Sequence, residues 1–526
     1  MPIPSSRASP IAATPPSPTG LLQSPALQIG LCVTVVVALT LLRAIFAVTI
    51  ELRVDEAYYW TWSRESVISF LDHPPLIAWF IRFGTALFGD TNFGVRFPGL
   101  LAMLLMQLLL ADIVWRVLRD YRYVIAVVLM TEAAPDYGLL MAKLAPDTAL
   151  IPCELAMIWS LVRLAQSGDQ RWWLPAGLFA GLALSAKYTA ILLAPAVLAF
   201  ALVPAWRKRQ LSGPCSWVAL LLALAVFSPV LYWNAVHDWA SFRFQLDRPP
   251  QLSGWSVRYV GEFIGQQFAL VGVLLFPIVV GASVMLAFRG YRNRDPVAIL
   301  LSTAVIVPLL FCIKQAFSAR VGDSWPLFIW PLAFACAAIN LKQWREAAPE
   351  SRFAQMGPGF MAFTIASGIG FVAAALVYYL AGSANYLGKN DPIGKEAGFG
   401  AVVTAADRTR RETGAGWFVV SDYRMYSMLR WHLRDAVPVV QLNERSRYID
   451  FRNPVLPGPA GLYVAPKDSP RTIHWNATGA KLQPVGGSDL VWRGVVYDAY
   501  TFQKVTGWTP VLSPGRGDPL FEARPN

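Results

Sequence analysis

Apolar runs of span length recur along most of this chain. A bilayer's hydrocarbon core of about 30 Å takes about 20 helical residues to cross. Eleven runs are read as spans: 26–50, 96–118, 122–141, 145–165, 172–186, 188–204, 215–233, 259–288, 297–313, 325–341 and 357–381, with the short 172–186 run sharing a bend with its successor. Residues 74–89 are apolar but too short to cross, and they sit between charged neighbours, so they predict a lying or re-entrant helix at the interface. The pattern changes after residue 381. Short β-rich stretches at 416–421, 437–441, 461–465 and 491–505 flank a helix-like piece at 422–434, which predicts a small α/β domain. Residues 1–26, rich in Pro and Ser, read as a disordered tail rather than a cleaved signal. The domains are thus a tail (1–26), a membrane body (27–381) containing a first outer loop at 51–95, and an outer domain (382–526).

Composition strengthens this picture. Apolar residues make up 55% of the chain and charged ones only 15%, against about 25% charged in a soluble protein. A large soluble enzyme is excluded. The net charge of +12 would suggest nucleic acid in a soluble chain, but here the basic residues collect in alternate loops. Arg116/Arg119/Arg122, Arg163/Arg171, Arg207/Lys208/Arg209, Arg289/Arg292/Arg294 and Lys342/Arg345/Arg352 all fall on one side of the alternating spans. The positive-inside rule makes that side the cytoplasm. The N-terminus is then cytoplasmic and the last domain periplasmic, with no nucleic-acid partner. The five cysteines show neither a CxxC pair nor metal-like spacing, and the four histidines (His73, His237, His432, His474) form no two-His motif.

With this topology the unusual polar residues gather at the outer helix ends: Asp55-Glu56-Ala57-Tyr58-Tyr59-Trp60, Asp72-His73-Pro74-Pro75, Lys143, Asp147, Lys187 and Arg320. Each ionisable group at membrane depth costs about 2.5–3.5 kcal/mol on insertion scales. Each also has a plain structural reading. Asp55-Glu56 can be a solvated helix flank, His73 a turn residue, and Asp147 a helix N-cap after Pro146. Lys187 and Arg320 can snorkel to headgroups, and Glu132 and Asp136 can pair with a buried base. The sequon Asn476-Ala477-Thr478 is read as incidental.

Taken together, VDEAYYWTWS (54–63), FLDHPPLIAWFIRFGTALFGDTNFGVRFPG (70–99), APDTAL (145–150), RWWLPAGLFAGLALSAKYTAIL (171–192) and DSWP (323–326) resemble the bacterial PMT-2/ArnT-like glycosyltransferases of glycosyltransferase family 39. Their relatives include protein O-mannosyltransferases and lipid A aminoarabinose transferases. The resemblance spans roughly residues 30–340. It implies a GT-C fold and a polyprenyl-phosphate-linked sugar donor. It also implies inverting transfer, on the periplasmic face of the inner membrane, to a lipid A, other glycan or protein acceptor. Asp55 matches the family's catalytic Asp and would take the acceptor's proton, with Glu56 as an orienting neighbour. Lys187, Arg320, His73 and Lys143 would hold the leaving phosphate. Asp147, which resembles the family's PDT aspartate, would bind substrate together with Asp72, Tyr58 and Tyr59. No metal is required in this reading, although a divalent cation at the mouth is compatible with the family. The run Ser318–Trp325 departs from the family pattern around Arg320. The alternatives are a transporter or flippase, which would carry its charges at the bilayer midplane, and a polymerase-like enzyme using diphosphate-linked oligosaccharides.

Overall fold

The computed structural model describes residues 24–139, 143–247, 257–382, 385–442, 444–468 and 479–508. The tail up to residue 23, the sequon at 476–478 and His474 lie outside the described residues. The membrane part is all helix. Helix α1 (Pro25–Thr49) leads into the first outer loop, which carries α2 (Val54–Ser63) and α3 (Leu76–Phe88). The bundle continues through α4 (Asn92–Leu118), α5 (Tyr121–Ala133), the single turn α6 (Pro135–Gly138), α7 (Pro146–Ser167) and α8 (Trp173–Ala186). A 3₁₀ turn (Tyr188–Leu193) then joins α9 (Ala194–Ala201), followed by α10 (Arg207–Ser212), α11 (Pro214–Val236), α12 (Ala240–Asp247) and α13 (Val257–Val271). It closes with α14 (Leu275–Asn293), α15 (Pro296–Ala316), α16 (Trp330–Ala347) and α17 (Arg352–Leu380).

Among the described residues seven helices, α1, α4, α7, α11, α14, α15 and α17, are long and apolar enough to cross a membrane unaided. The other expected spans are shorter or broken. The 122–141 run breaks at Ala134, whose extended backbone precedes Pro135. The 172–186 and 188–204 runs bend at Lys187, also extended (φ −155°, ψ 136°). The 259–288 run is two helices rather than one span. Gly272 (φ 116°) interrupts it, and the first half buries Phe263, Gln267 and Val271 along one face, the four-residue repeat of an amphipathic helix. Helices α8 and α11 cross in close contact because α8 offers glycines. A Cβ on Gly177 would stand 2.2 Å from the Ala219 carbonyl oxygen, and one on Gly181 2.7 Å from that of Ala223. This is the small-residue packing that membrane helices use where burial of apolar surface supplies no drive.

The basic loops meet at one end of the bundle. Gln166 donates to the Arg116 carbonyl (2.9 Å) and Arg209 to that of Gly168 (2.7 Å). Lys342 reaches the Leu118 carbonyl, and Arg289 reaches Asn340 and Gln343 (3.2 Å each). Mid-bundle, Arg43 grips Glu132 with two bonds (2.7 and 3.1 Å), and Gln107 donates to Glu132 (2.7 Å) and Thr131 (3.0 Å). Glu132 thus has its buried base, and this knot ties α1, α4 and α5 together. Asp136 makes no ion pair among the described residues, and its Oδ2 is buried without a hydrogen bond there.

The C-terminal domain holds a five-stranded sheet in the order β2-β1-β3-β5-β4. Strand β1 (Trp417–Val420) runs parallel to β2 (Val439–Gln441) and β3 (Gly461–Pro466), while β5 (Val495–Thr506) is antiparallel to β3 and β4 (Lys481–Trp492). Helices α18 (Phe399–Glu412) and α19 (Tyr423–Leu433) cover it. The domain does not hang free. One continuous apolar core joins Val54, Tyr58, Trp60, Trp62, Phe70 and Ile77 of the first loop to Phe399, Phe418, Met428, Trp431 and Leu462.

Candidate active site

Helix α2 follows α1 after residues 50–53, and its first turn contains both acids of the DEAYYW motif. Consecutive helical residues point about 100° apart, so the pair divides. Glu56 turns inward and is completely enclosed. Arg96 of α4 holds it with two bonds (2.8 and 2.6 Å), and the backbone N–H groups of Arg53 (2.9 Å) and Leu144 (3.0 Å) donate to it as well. Despite its burial, Arg96 keeps the Glu56 carboxyl below its ordinary pKa. Its oxygens are fully engaged in fixing α2 against α4 and the 144 backbone.

Asp55 turns the other way and its side chain is exposed. The Tyr423 hydroxyl of α19 donates to its Oδ1 (3.3 Å). Enclosure by the surrounding protein and the nearby Glu396 raise its pKa above the usual aspartate value, while Arg53, Tyr423 and Lys143 oppose the shift. Arg53 is itself held by Glu396 (2.5 and 2.6 Å). The result is an accessible carboxylate whose affinity for a proton is enhanced.

Lys143 lies half-buried, within electrostatic reach of Asp55, Arg53, Asp323, Glu396 and Asp136. Burial, then Arg53, hold its pKa below the ordinary lysine value. Its ammonium makes no hydrogen bond or ion pair among the described residues. Lys187 and Asp147 are engaged with one another: Nζ donates to both carboxylate oxygens (2.9 and 2.7 Å) and lies 3.5 Å from the Ser324 carbonyl oxygen. Both side chains are buried. The pair clamps the start of α7 to the end of α8 and to the DSWP loop, close to where both were expected to meet substrate. Arg320 stands apart, 70% exposed, with Glu262 of α13 at 3.5 Å.

Asp72 forms a second centre. Tyr58 donates to its Oδ2 (2.5 Å), as does Arg447 from the C-terminal domain, and Gln245 donates to its backbone carbonyl (2.5 Å). Tyr59 is buried, its ring packed edge-on to His73 (6.3 Å between centroids). Tyr58 packs edge-on to Trp62 (5.0 Å) and Tyr423 (5.2 Å). The structure therefore gathers Asp55, Glu56, Lys143, Asp72, Tyr58, Tyr59 and His73 along the first outer loop, and it pairs Asp147 with Lys187. It also adds Arg53, Arg96, Glu396, Tyr423 and Arg447, which sequence reasoning did not single out. Arg96, inside the apolar FGVRFPG run, was the one legible signal among these. Among the described residues, no three His, Cys, Asp or Glu side chains converge as a metal site.

Residues 72–233 match the family model described as dolichyl-phosphate-mannose-protein mannosyltransferase. The lipid A galacturonosyltransferase RgtD of Rhizobium johnstonii is 27% identical over 281 residues, or 52% of this chain and 57% of that protein. The chain thus aligns with little more than half the length of this curated relative. Two crystal structures of ArnT from Cupriavidus metallidurans, one bound to undecaprenyl phosphate and one in the apo state, superpose with TM-scores of 0.59 and 0.60 at 13% identity. They cover 89% and 90% of this chain and 97% of theirs. The fold is the GT-C fold of ArnT, a polytopic helical membrane body with a C-terminal sheet domain.

Proposed function

We propose that this chain is a multi-pass inner-membrane glycosyltransferase that moves a sugar from a polyprenyl-phosphate donor to an envelope acceptor on the periplasmic face, with inversion. One observation carries the reading: an exposed, proton-seeking carboxylate (Asp55) lies within electrostatic reach of Lys143, whose ammonium is unpaired among the described residues, away from the bundle end where the basic loops gather. By the positive-inside rule the basic end is cytoplasmic, so Asp55 and the C-terminal domain face the periplasm.

The chemistry follows from these groups. The acceptor O–H gives its proton to an Asp55 carboxylate oxygen as its own oxygen attacks the anomeric carbon. The bond from that carbon to the phosphate oxygen breaks, and its electron pair leaves with the lipid phosphate. Attack from the face opposite the leaving group inverts the centre. Lys143 meets the departing charge, and the arriving phosphate restores the proton affinity that burial takes from its ammonium. Lys187 can join only by sharing its Asp147 contact, and Arg320 stands exposed beside Glu262. Asp72 is held by Tyr58 and Arg447 with its Oδ1 enclosed, so in this reading it shapes the sugar site through the residues it binds. RgtD's name, lipid A galacturonosyltransferase, and the undecaprenyl phosphate bound to ArnT favour a lipid A-like acceptor and a polyprenyl donor here.

A transporter would keep an open charged site at mid-membrane. The matched family model and the curated relative are both sugar transferases, and neither supports that reading. In proteoliposomes containing lipid A, polyprenyl-phosphate sugars should yield one free polyprenyl phosphate per glycosylated acceptor, with none released when acceptor is omitted. Consumption of nucleotide sugars alone would overturn the assignment.

A further inference from the structure

We infer that the C-terminal domain is a working part of the catalytic unit, with Tyr423 as the positioning residue that aims the Asp55 carboxylate at the incoming hydroxyl. This rests on the reading of Asp55 as the base. Tyr423 is the first residue of α19, after the N-cap Asp422, and its backbone N–H is fixed by Glu444 (2.8 Å). Its ring is held on two sides. The Arg447 guanidinium lies 4.9 Å from the ring centroid, and the Tyr58 ring packs edge-on at 5.2 Å. Arg447 and Tyr58 both bond Asp72, so the first membrane loop and the domain lock this ring jointly.

Further along, α19 lies against α2. Trp431 meets the Trp60 ring at 5.2 Å, and Arg430 bonds Glu65 (3.2 Å). The phenol therefore reaches Asp55 from a rigid platform. It occupies Oδ1 and leaves Oδ2 for the acceptor's proton. The other charged groups around Asp55 are Arg53 and Glu396, Lys143, and the adjacent Glu56, which Arg96 neutralises. None of these is bonded to Asp55; the Tyr423 hydroxyl alone is positioned to orient the carboxylate directly among the described residues.

Tyr423→Phe keeps the ring and removes only the hydroxyl. That hydroxyl donates to the charged carboxylate and favours it, so losing it raises the carboxylate's proton affinity. The acid limb of the kcat/KM–pH profile should move to higher pH, and transfer on that limb should fall about tenfold, the scale of one hydrogen bond to a charged group. The donor KM should hold. Incorporating 3-fluorotyrosine at position 423, a stronger donor of nearly the same shape, should move the limb to lower pH, and this keeps the test open if the Phe variant folds poorly. Trp431→Phe, which loosens docking without touching the pair, should lower the melting temperature and leave the limb in place. An unmoved limb in both Tyr423 variants overturns the inference while Asp55 stands as base. An active Asp55→Asn overturns the underlying reading instead.

Discussion

Asp55→Asn should insert and fold like the parent and lose about 10²- to 10⁴-fold in transfer, the usual contribution of a positioned general base. The amide matches the carboxylate in shape and still accepts the Tyr423 hydrogen bond at 3.3 Å, so geometry is kept while the proton acceptor is lost. Stability should not suffer. The folded-state pKa of Asp55 is raised, so its favourable contribution exists at low pH and disappears as pH rises through that pKa. Near neutrality the ionised group therefore costs stability, and a neutral amide removes the cost, a common trade-off at functional sites. The same shift sets the parent's pH dependence. Transfer should decline as pH falls through a pKa above the ordinary aspartate range. Measuring kcat/KM against pH, with melting temperatures of both proteins in detergent, checks all three points. A variant that retains most of its turnover, or melts well below the parent, contradicts the account.

Arg96→Met should be the most damaging single change to the fold. It leaves Glu56 as an uncompensated charge in a closed site, which costs about 3–5 kcal/mol. It also strips donors from the Ile50 (2.6 Å) and Glu51 (2.8 Å) carbonyls where α1 ends. Thermal unfolding in detergent should show a melting temperature far below the parent's. The double variant Glu56→Gln/Arg96→Met, which removes both charges, should regain much of the loss. If the double variant is no better than the single one, the ion pair is not what holds α2. This experiment also separates the two acids of the motif. Glu56 acts on Asp55 by holding the helix that carries it, since its own oxygens are saturated by Arg96 and two backbone N–H groups.

The membrane body was largely legible because lipid imposes strict terms. Every span needs a continuous apolar run, and the basic loops sort by side, so residues hundreds of positions apart could be placed at one end of the bundle. Helix breaks were harder to see. Gly272 within 259–288 and Ala134-Pro135 within 122–141 interrupt runs whose apolar character never lapses. In the C-terminal domain most of β4 lies outside the expected strands, since Pro484, Gly486 and Gly487 are poor strand formers; the strand absorbs them with a register shift. The 491–505 stretch is in fact the end of β4, a turn at Arg493-Gly494 and most of β5. Helix α18 carries its apolar signal only in the sparse stripe Phe399, Val402, Val403 and Ala406.

The site was half legible. The residue types and their side of the membrane could be read along the chain, but pairings could not. Asp147 and Lys187 each looked like a substrate ligand, and only their meeting 40 residues apart shows that they satisfy each other. Tyr423 and Arg447 arrive from more than 360 positions downstream of the residues they bond, Asp55 and Asp72. No local pattern encodes such a contact. It follows from how one domain docks on the other.

Sidedness of labelling at position 55 tests the central claim most directly. Four of the native cysteines are buried and Cys215 is partly so. An Asp55→Cys variant that also carries Cys215→Ser therefore presents a single accessible thiol. A membrane-impermeant maleimide added to intact spheroplasts should label it, and the same reagent confined to the cytoplasmic face of inverted vesicles should not. Labelling only from the cytoplasmic face would contradict a base that meets its lipid-linked donor in the periplasm.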